Sequence, residues 1–329
     1  MTSVGLCHTD ITFGKIGDSP KILGHEGTGN VIKIGSKVTN AKVGDPVLLS
    51  FSSCNNCKPC KHVPGFCTTF NEINFGLSND VFTLNDQKID GKFFGQSSFS
   101  KKSVVNESSI VNVKDLNLDA ETLQKFGPLG CGFLTGSGAV YKAGAAKKGE
   151  SCVVYGLGGV GLAGIMAAKI AGCYPIIGVD INDKKLELSK ELGATHIVKA
   201  GNDKEVHDKI FEITDGGADV SLESIGGPKF VQAAIDNAAN FGRIVFVGFG
   251  GFEDIIQVKS FDFMSTGKTL IGCVEGNSRP QEFIPQLIEW HSQGLFPIEK
   301  LETFYKIEDF NKALADMKTG TTTKAILTF

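Results

Sequence analysis

The sequence predicts an α/β protein of two domains, one of which is built on a doubly wound parallel sheet. The chain has 329 residues, of which 41% are hydrophobic, and this is enough for two separate cores. A glycine-rich turn lies between a short apolar run and an apolar helix pattern near the middle of the chain. Beyond that turn, strand patterns and helix patterns keep alternating, which is typical of a parallel sheet covered by helices.

The composition excludes several classes of protein. The net charge is −3 and the arginines are Arg243 and Arg279 alone, which does not suit a nucleic-acid-binding surface. No apolar run is long enough to span a membrane, and the first residues lack the basic and apolar regions of a signal peptide. We therefore expect a cytoplasmic protein whose partners are neither nucleic acids nor membranes.

The central glycine-rich turn has the pattern of a dinucleotide-binding loop. Cys152–Tyr155 predicts a buried strand, and Gly156, Gly158 and Gly161 follow it in G-x-G-x-x-G spacing. Leu162–Ala171 then predicts an apolar helix. The three glycines permit a tight turn, close approach of a pyrophosphate and close packing of the helix. The N-terminus of that helix supplies N–H groups and partial positive charge for the phosphates.

The strand after this helix ends in an acidic residue. Ile176–Val179 predicts the strand, and Asp180 follows it. Such a carboxylate accepts hydrogen bonds from the adenosine ribose and repels a 2′-phosphate, so the sequence favours NAD over NADP. A strand, a helix and a strand are then predicted over Ala218–Ser224, Lys229–Ala239 and Gly242–Gly250. Together these elements predict a Rossmann-type sheet.

Four of the nine cysteines, Cys54, Cys57, Cys60 and Cys67, lie within one short segment. Four thiols in a short loop can surround one tetrahedral zinc, because Zn–S bonds of about 2.3 Å draw the sulfurs together. An iron–sulfur cluster and a redox Cys-x-x-Cys pair are the alternatives, although the pair leaves two thiols unexplained. The spacing predicts a structural zinc lobe over residues 54–67, with no open position for catalysis.

Three further residues form a second candidate metal site. Cys7, His25 and Cys131 each stand among glycines, in the segments VGLCHTD, ILGHEGTG and GPLGCGFLTGSG. Two thiolates and an imidazole leave one tetrahedral position open, which is the pattern of a catalytic zinc. The three residues are widely separated in the chain, so their spacing alone does not distinguish a shared metal site from coincidence.

Over essentially its whole length, the chain resembles the zinc-containing, medium-chain alcohol dehydrogenases. The motifs that carry the resemblance occur in the family's order: GLCHTD, GHEGTG, GDPVLLS, the four-cysteine lobe, GPLGCGFLTGSGAV, GLGGVG, GVDIN and KAILTF. The segment VEGNSRPQEFIPQLIEWHSQGLFP is most similar to the aryl-alcohol branch, which oxidises benzylic and allylic alcohols. The resemblance implies a mostly β, GroES-like catalytic domain over 1–137 and 276–329. It places an NAD-binding Rossmann domain at 138–275.

The resemblance also implies roles for the residues around the catalytic zinc. Cys7, His25 and Cys131 match its ligands. Asp10 matches the carboxylate that orients the histidine, and Glu26 matches an acidic neighbour of the metal. With the four-cysteine lobe, this implies two zinc ions in each chain. The family also implies a homodimer or homotetramer, in which an apolar strand over 269–274 extends the sheet into a partner.

The substrate and cofactor positions follow from the same resemblance. Thr9 matches the hydroxyl that binds the substrate oxygen and passes its proton on, and Phe51 lies near an aromatic residue of the substrate pocket. Hydride would pass between the alcohol and the nicotinamide without a covalent nucleophile in the protein. The positions matched to the cofactor are His8, Thr135, Gly156, Gly158, Val160, Gly161, Asp180, Lys185 and Lys324.

The chain departs from the family in several places. Thr12 stands where many relatives have a relay histidine, so His8 or water would complete the proton relay. The stretch from Cys7 to His25 is shorter than in relatives, which changes one wall of the substrate pocket. The gap between Cys60 and Cys67 in the lobe is one residue shorter than is usual in relatives.

The start of the chain is a further departure. Relatives carry additional strands of the catalytic domain before the GLCHTD motif, whereas here Met1 lies just ahead of it. Loss of paired strands exposes sheet edges and apolar surface. We expect the chain, expressed as written, to be poorly soluble or weakly active compared with a version extended upstream.

The sequence thus predicts a zinc- and NAD-dependent dehydrogenase of primary aromatic or allylic alcohols. One alternative is a general short-chain or glutathione-adduct alcohol dehydrogenase of the same family. The alternative from another class is a truncated remnant that binds NAD and zinc without catalysis. The complete sets of ligands favour the enzyme.

Overall fold

The computed structural model describes residues 1–17 and 19–329 and divides into two compact units. Unit 1 comprises Met1–Leu134 and Ser278–Phe329, and unit 2 comprises Thr135–Asn277. The chain therefore begins in unit 1, forms unit 2 as one continuous segment and returns to unit 1.

The strands and helices alternate along most of the chain. The strands are β1 (Ser3–Gly5), β2 (Gly27–Asn30), β3 (Pro46–Leu49), β4 (Ser78–Leu84), β5 (Gln87–Gly91), β6 (Ile110–Asn112), β7 (Cys152–Tyr155), β8 (Ile176–Asp180), β9 (His196–Lys199), β10 (Ala218–Glu223), β11 (Ala238–Phe246), β12 (Thr269–Gly272), β13 (Glu302–Lys306) and β14 (Lys324–Thr328). The α-helices are α1 (His8–Gly14), α2 (Phe70–Phe75), α3 (Ala120–Lys125), α4 (Gly132–Gly138), α5 (Gly159–Ala171), α6 (Asp183–Leu192), α7 (Asp203–Thr214), α8 (Pro228–Asp236), α9 (Ser260–Thr266), α10 (Pro280–Ser292) and α11 (Phe310–Thr319). Short 3₁₀ turns span Pro59–Lys61, Pro64–Phe66, Phe93–Gly95, Glu107–Ser109, Lys114–Leu116, Gly127–Gly130, Glu275–Asn277, Ile298–Lys300 and Ile307–Asp309, and a π-helical turn spans Ala139–Ala143.

Unit 2 contains the predicted Rossmann-type sheet. Its six strands are all parallel, in the order β12-β11-β10-β7-β8-β9. From the centre of the sheet, β7, β8 and β9 follow one another toward one edge, and β10, β11 and β12 follow one another toward the other edge. The direction of winding therefore reverses between β7 and β10. Doubly wound folds bind dinucleotides at such a reversal. The core is apolar and β-branched, with Val153, Ile177 and Ile244 fully buried. The predicted fold class is confirmed for this unit.

A helix and the strand that follows it in unit 2 differ from the prediction by three or four residues. The helix predicted over Lys229–Ala239 ends at Asp236, and the strand predicted over Gly242–Gly250 spans Ala238–Phe246 instead. The alanine-rich end of that segment suits a helix locally. However, Ala238 pairs with Ala218 in the parallel ladder, so tertiary pairing outweighs propensity.

Unit 1 is mostly β. Its main sheet has the order β13-β14-β1-β2-β3-β6, and β4 and β5 form a separate antiparallel hairpin. Every pair in the main sheet is antiparallel except β13 with β14. The first and last strands of the chain are therefore neighbours, with Gly5 opposite Ile326. This pairing brings the segment after β1 beside the start of β14.

The helices are short relative to a lipid bilayer. The longest, α5 and α10, have 13 residues each. Among residues 1–17 and 19–329, no helix combines the length and the apolar composition that a membrane crossing requires.

Candidate active site

The three candidate ligands and one carboxylate converge in unit 1. One ligand atom from each of Cys7, His25, Glu26 and Cys131 lies within 4.8 Å of the others. Cys7 follows β1 and caps α1, while His25 and Glu26 directly precede β2. Because β1 and β2 are antiparallel neighbours, these residues meet at one end of the pair. Cys131 lies between a 3₁₀ turn and α4.

His25 is held in one orientation by Asp10. Nδ1 of His25 lies 3.0 Å from Oδ1 of Asp10, and both side chains are buried. Asp10 also accepts hydrogen bonds from the N–H groups of Gly24, at 3.0 Å, and Cys7, at 3.1 Å. Nε2 of His25 is buried and has no hydrogen-bond partner among the described residues. An imidazole that donates from Nδ1 to a carboxylate presents the lone pair of Nε2 to a metal.

The electrostatics of this cluster favour an ionised thiol. A hydrogen bond with Cys131 is the largest cause that lowers the pKa of Cys7 well below its ordinary value, and His25 adds to it. Burial lowers the pKa of His25, but the charges of Asp10 and Cys7 outweigh it and leave this pKa well above the ordinary value. Thiolates and an imidazole nitrogen are zinc donors, so the residues present fit a zinc ion with an open fourth position.

Glu26 forms a buried ion pair with Lys324. Nζ of Lys324 lies 2.9 Å from both carboxylate oxygens of Glu26, and it donates a third hydrogen bond to the carbonyl of Leu6 at 3.3 Å. Glu26 is fully buried and Lys324 is 5% exposed. Glu26 also accepts a hydrogen bond from the N–H of Gly132 at 3.1 Å. The pair thus contacts Leu6 and Gly132, which adjoin Cys7 and Cys131, and Glu26 itself follows His25. Contact of Lys324 with cofactor phosphates stays a prediction.

The residues predicted to handle the substrate proton lie on α1. Thr9 is half-buried, and its Oγ lies 3.7 Å from Sγ of Cys7. His8 is exposed at the start of the same helix, and Thr12 is half-buried one turn further on. Their catalytic roles stay predictions.

Aromatic rings surround His25, and sequence reasoning missed them. The ring of Phe94 stacks on the imidazole of His25 at 4.5 Å between centroids, and Phe93 meets it edge-on at 5.6 Å. Phe75 contacts both of these rings and stacks on Phe13 at 4.3 Å. The clustering of phenylalanine in FNEINF and KFFGQ is the signal that could have found this wall.

Phe51, predicted near the substrate pocket, lies within the same aromatic region. It is 2% exposed, and its ring packs against Phe70 at 5.7 Å. Phe70 in turn meets Phe94 edge-on at 6.4 Å. Phe51 therefore packs within the same cluster of rings, and its direct contact with a substrate stays a prediction.

The four cysteines of the predicted lobe come together as one cluster. Sγ of Cys60 lies 3.3 Å from that of Cys57 and 3.8 Å from that of Cys54, and Cys67 lies 4.0 Å from Cys57. A backbone hydrogen bond from Thr68 lowers the pKa of Cys57 to about 6, whereas burial raises the pKa of Cys60 to about 12. All four sulfurs of the lobe converge, which fits one tetrahedral zinc ion.

The glycine-rich loop of unit 2 has the predicted geometry. Gly156 has φ of +84°, which favours glycine. A Cβ on Gly161 would lie 1.8 Å from the carbonyl oxygen of Gly156, whereas a Cβ on Gly158 would meet nothing within 4 Å. Helix α5 begins at Gly159, directly after this open position. The loop therefore leaves free space at the N-terminal end of α5, and binding of phosphates there stays a prediction.

Four more of the predicted cofactor residues lie in unit 2, whereas His8 and Lys324 lie in unit 1. Asp180 ends β8 and accepts a hydrogen bond at 2.7 Å from the N–H of Leu157, so its carboxylate lies beside the loop. Lys185 is half-buried in the first turns of α6. Thr135 donates to Glu275 at 3.4 Å. Val160 lies in the first turn of α5, and contacts of these residues with a cofactor stay predictions.

Known proteins match the chain along its whole length. Residues 1–115 match the model of the alcohol dehydrogenase GroES-like domain, and residues 159–293 match that of the zinc-binding dehydrogenase domain. Geraniol dehydrogenase from Castellaniella defragrans is 35% identical over 339 aligned positions, which cover 100% of this chain and 89% of that protein. A probable alcohol dehydrogenase of a Pseudomonas species is 36% identical over 83% of this chain and 88% of its own length.

Solved structures agree with these relatives. Benzyl alcohol dehydrogenase from Acinetobacter calcoaceticus has a TM-score of 0.91 and 36% identity, covering 100% of this chain and 90% of that chain. An alcohol dehydrogenase zinc-binding domain protein from Burkholderia ambifaria has a TM-score of 0.93 and 38% identity over the same shares. The fold and the two cysteine-containing clusters thus define a zinc-binding dehydrogenase. The chain belongs to the zinc-containing, medium-chain alcohol dehydrogenase family, and it is an alcohol dehydrogenase.

Proposed function

We propose that this alcohol dehydrogenase oxidises primary aromatic or allylic alcohols to aldehydes, with NAD as the hydride acceptor, at a zinc held by Cys7, His25 and Cys131. The observation that carries the proposal is the convergence of these three side chains, with the buried Nε2 of His25 left without a partner among the described residues. The relatives named geraniol and benzyl alcohol dehydrogenase support the substrate class.

The aromatic wall supports the same substrate class. Phe93 and Phe94 are buried and pack directly on the imidazole of His25, and the half-buried rings of Phe13 and Phe75 pack against Phe93. The accessible parts of Phe13 and Phe75 would offer stacking and edge-to-face contacts to a benzyl ring and an apolar surface to an allylic chain. A small alcohol such as ethanol would gain little from this surface.

The residues of unit 1 would bind the substrate and move its proton. When bound, zinc polarises the alcohol oxygen and NAD accepts the hydride. Cys7 and Cys131 would bind the metal as thiolates, and His25 as a neutral imidazole oriented by Asp10. Thr9 would hydrogen-bond the substrate oxygen and pass its proton to water or to His8, because no histidine stands at position 12.

The residues of unit 2 would select the cofactor. The pyrophosphate would lie at the open position over Gly158 and the start of α5. Asp180 would accept hydrogen bonds from the adenosine ribose, with Lys185 close by. A 2′-phosphate would meet the negative charge of Asp180, which is why we propose NAD rather than NADP.

Two further proposals concern zinc content and assembly. The four-cysteine lobe would hold a second, structural zinc in each chain. The edge strand β12 would pair with a second copy of the chain to form a homodimer, or a homotetramer made of two such dimers. Exposed apolar side chains on the neighbouring elements support this assembly. Phe241 on β11 is 81% exposed and Met264 on α9 is 72% exposed.

Steady-state assays test the proposed function. Benzyl alcohol, geraniol, ethanol and the glutathione–formaldehyde adduct are compared with NAD and with NADP, and zinc is counted in the same preparation. We expect two zinc ions per chain and the highest kcat/KM for benzyl alcohol or geraniol with NAD. The Cys131→Ser variant should lose one zinc and its turnover, whereas Cys273→Ser, a buried cysteine outside both clusters, should lose neither. A preference for ethanol or for the glutathione adduct would contradict the proposed substrate class.

A further inference from the structure

Gln96 is a buried amide that touches the backbone of a candidate zinc ligand. Its side chain is fully buried, and Nε2 donates hydrogen bonds to the carbonyls of His25 and Ser50, each at 2.9 Å. Its Oε1 accepts one from the N–H of Gly27 at 3.3 Å. The opposite amide orientation would set Oε1 against two carbonyl oxygens, so these contacts determine which end of the amide faces His25.

Ser50 continues the connection to a second candidate ligand. Its hydroxyl is buried and donates to the carbonyl of Gly130 at 2.6 Å. Gly130 directly precedes Cys131. A chain of hydrogen bonds therefore runs from the carbonyl of His25 through Gln96 and Ser50 to the residue beside Cys131. We call this chain the Gln96–Ser50 bridge.

The loop that carries Gln96 has an unusual backbone. Phe94, directly before Gly95, has φ of +53°, and Ser97 has φ of +47°. Left-handed conformations cost free energy for residues with a Cβ, and they persist where the surroundings determine them strongly. Here the hydroxyl of Ser109 donates to the carbonyl of Phe94 at 2.9 Å, and that of Ser97 donates to the carbonyl of Ile22 at 2.6 Å. The loop is thus fixed on both sides of Gln96.

We propose that Gln96 and Ser50 are positioning residues of the metal centre, and that their bridge holds His25 and Cys131 at zinc-binding distance. This inference rests on the proposed function, because it takes these two residues as ligands. They come from segments far apart in sequence, so their separation depends on the contacts between those segments. A centre that is held in place before the metal binds releases the metal more slowly.

Zinc release from the holoenzyme tests the bridge. Gln96→Met removes all three side-chain hydrogen bonds while keeping the length of the side chain. We expect the zinc affinity of this variant to be about 10–100-fold lower than that of the wild type, as for other residues that orient zinc ligands. Zinc should therefore pass to a chelator faster from the variant than from the wild type. The cobalt-substituted variant should also show altered ligand-field bands. Ser50→Ala should act in the same direction, and Ser50→Thr, which keeps a hydroxyl, should restore slow release.

Asn74 provides the matched control. It is also fully buried, and its amide makes three hydrogen bonds: with the N–H and the carbonyl of Ser52, at 2.8 and 2.9 Å, and with the carbonyl of Phe70, at 2.9 Å. None of these partners adjoins Cys7, His25 or Cys131. Asn74→Leu should therefore lower stability without hastening release from that centre, which the cobalt bands identify.

Two results would overturn the inference. Gln96→Met could release zinc at the wild-type rate with an unchanged cobalt spectrum, or Asn74→Leu could hasten release equally, which would indicate general loosening. Failure of the proposed function gives a different result. Two zinc ions in a wild type that turns over no alcohol would refute the function and leave the bridge measurable. A wild type that holds only the lobe's zinc would refute both.

Discussion

Removal of the lysine from the buried Glu26–Lys324 pair should strongly destabilise the protein. Lys324→Met keeps most of the side-chain volume but leaves the carboxylate of Glu26, which is fully buried, without its cation. At the observed N–O distance of 2.9 Å, the attraction at an effective dielectric constant of 20 is about 6 kcal/mol. Glu26 can escape part of this loss by taking up a proton, which costs an ordinary glutamate about 4 kcal/mol at pH 7.

We therefore expect Lys324→Met to lower the free energy of unfolding by about 3–5 kcal/mol, as for other buried pairs that lose one partner. Urea unfolding of the holoenzyme at pH 7 measures this. The double variant Glu26→Gln/Lys324→Met should recover much of the loss, because it leaves no unpaired charge. Lys92→Met is the control, since the pair of Lys92 with Asp80 is shorter, at 2.6 Å, but exposed.

Lys92→Met should lower the free energy of unfolding by at most about 1 kcal/mol, because water screens an exposed pair. A loss below about 1 kcal/mol for Lys324→Met would refute the reasoning, since a buried carboxylate would then tolerate the absence of its partner. A double variant no more stable than the single one would also contradict it, because the loss would then come from packing.

Three further predictions test other parts of the molecule. Burial, followed by the charge of Glu299, raises the pKa of Glu302 to about 9. Between about pH 5 and 9 the folded protein therefore keeps a proton on Glu302 that the unfolded chain has lost. The free energy of unfolding should fall by about 1.4 kcal/mol per pH unit over this range. Denaturation of Glu302→Gln across this range should show a flatter pH dependence. Gly158→Ala should keep the wild-type Tm, because the added Cβ meets no protein atom within 4 Å. It should bind NAD at least about tenfold more weakly, because that Cβ would enter the space in which we propose that the pyrophosphate binds. An NAD titration beside a thermal melt checks this, and unchanged affinity would contradict it. Asp10→Asn should weaken zinc binding at His25 by about 10–100-fold, as measured by competition with a chelator; unaltered affinity would show that Asp10 does not orient the imidazole.

The local parts of this protein could be predicted from the sequence. The strand Cys152–Tyr155, the glycine loop and Asp180 lie close together in the chain, and each conformation depends on its neighbours. The four-cysteine cluster of the lobe could also be predicted from the sequence, because a short loop brings the sulfurs together independently of the rest of the fold. A family resemblance was needed to connect the distant ligands with one another.

Tertiary structure alone decided the remaining features. Helix α8 ends three residues before the predicted Ala239, because the strand that follows it pairs with β10. Gln96 lies in a sequence with no motif that indicates a buried amide, and its role depends on carbonyls supplied by His25 and Ser50. The burial of Lys324 beside Glu26 depends on the pairing of the first and last strands. Such contacts join residues far apart in the chain, so their energies arise only when the whole fold forms.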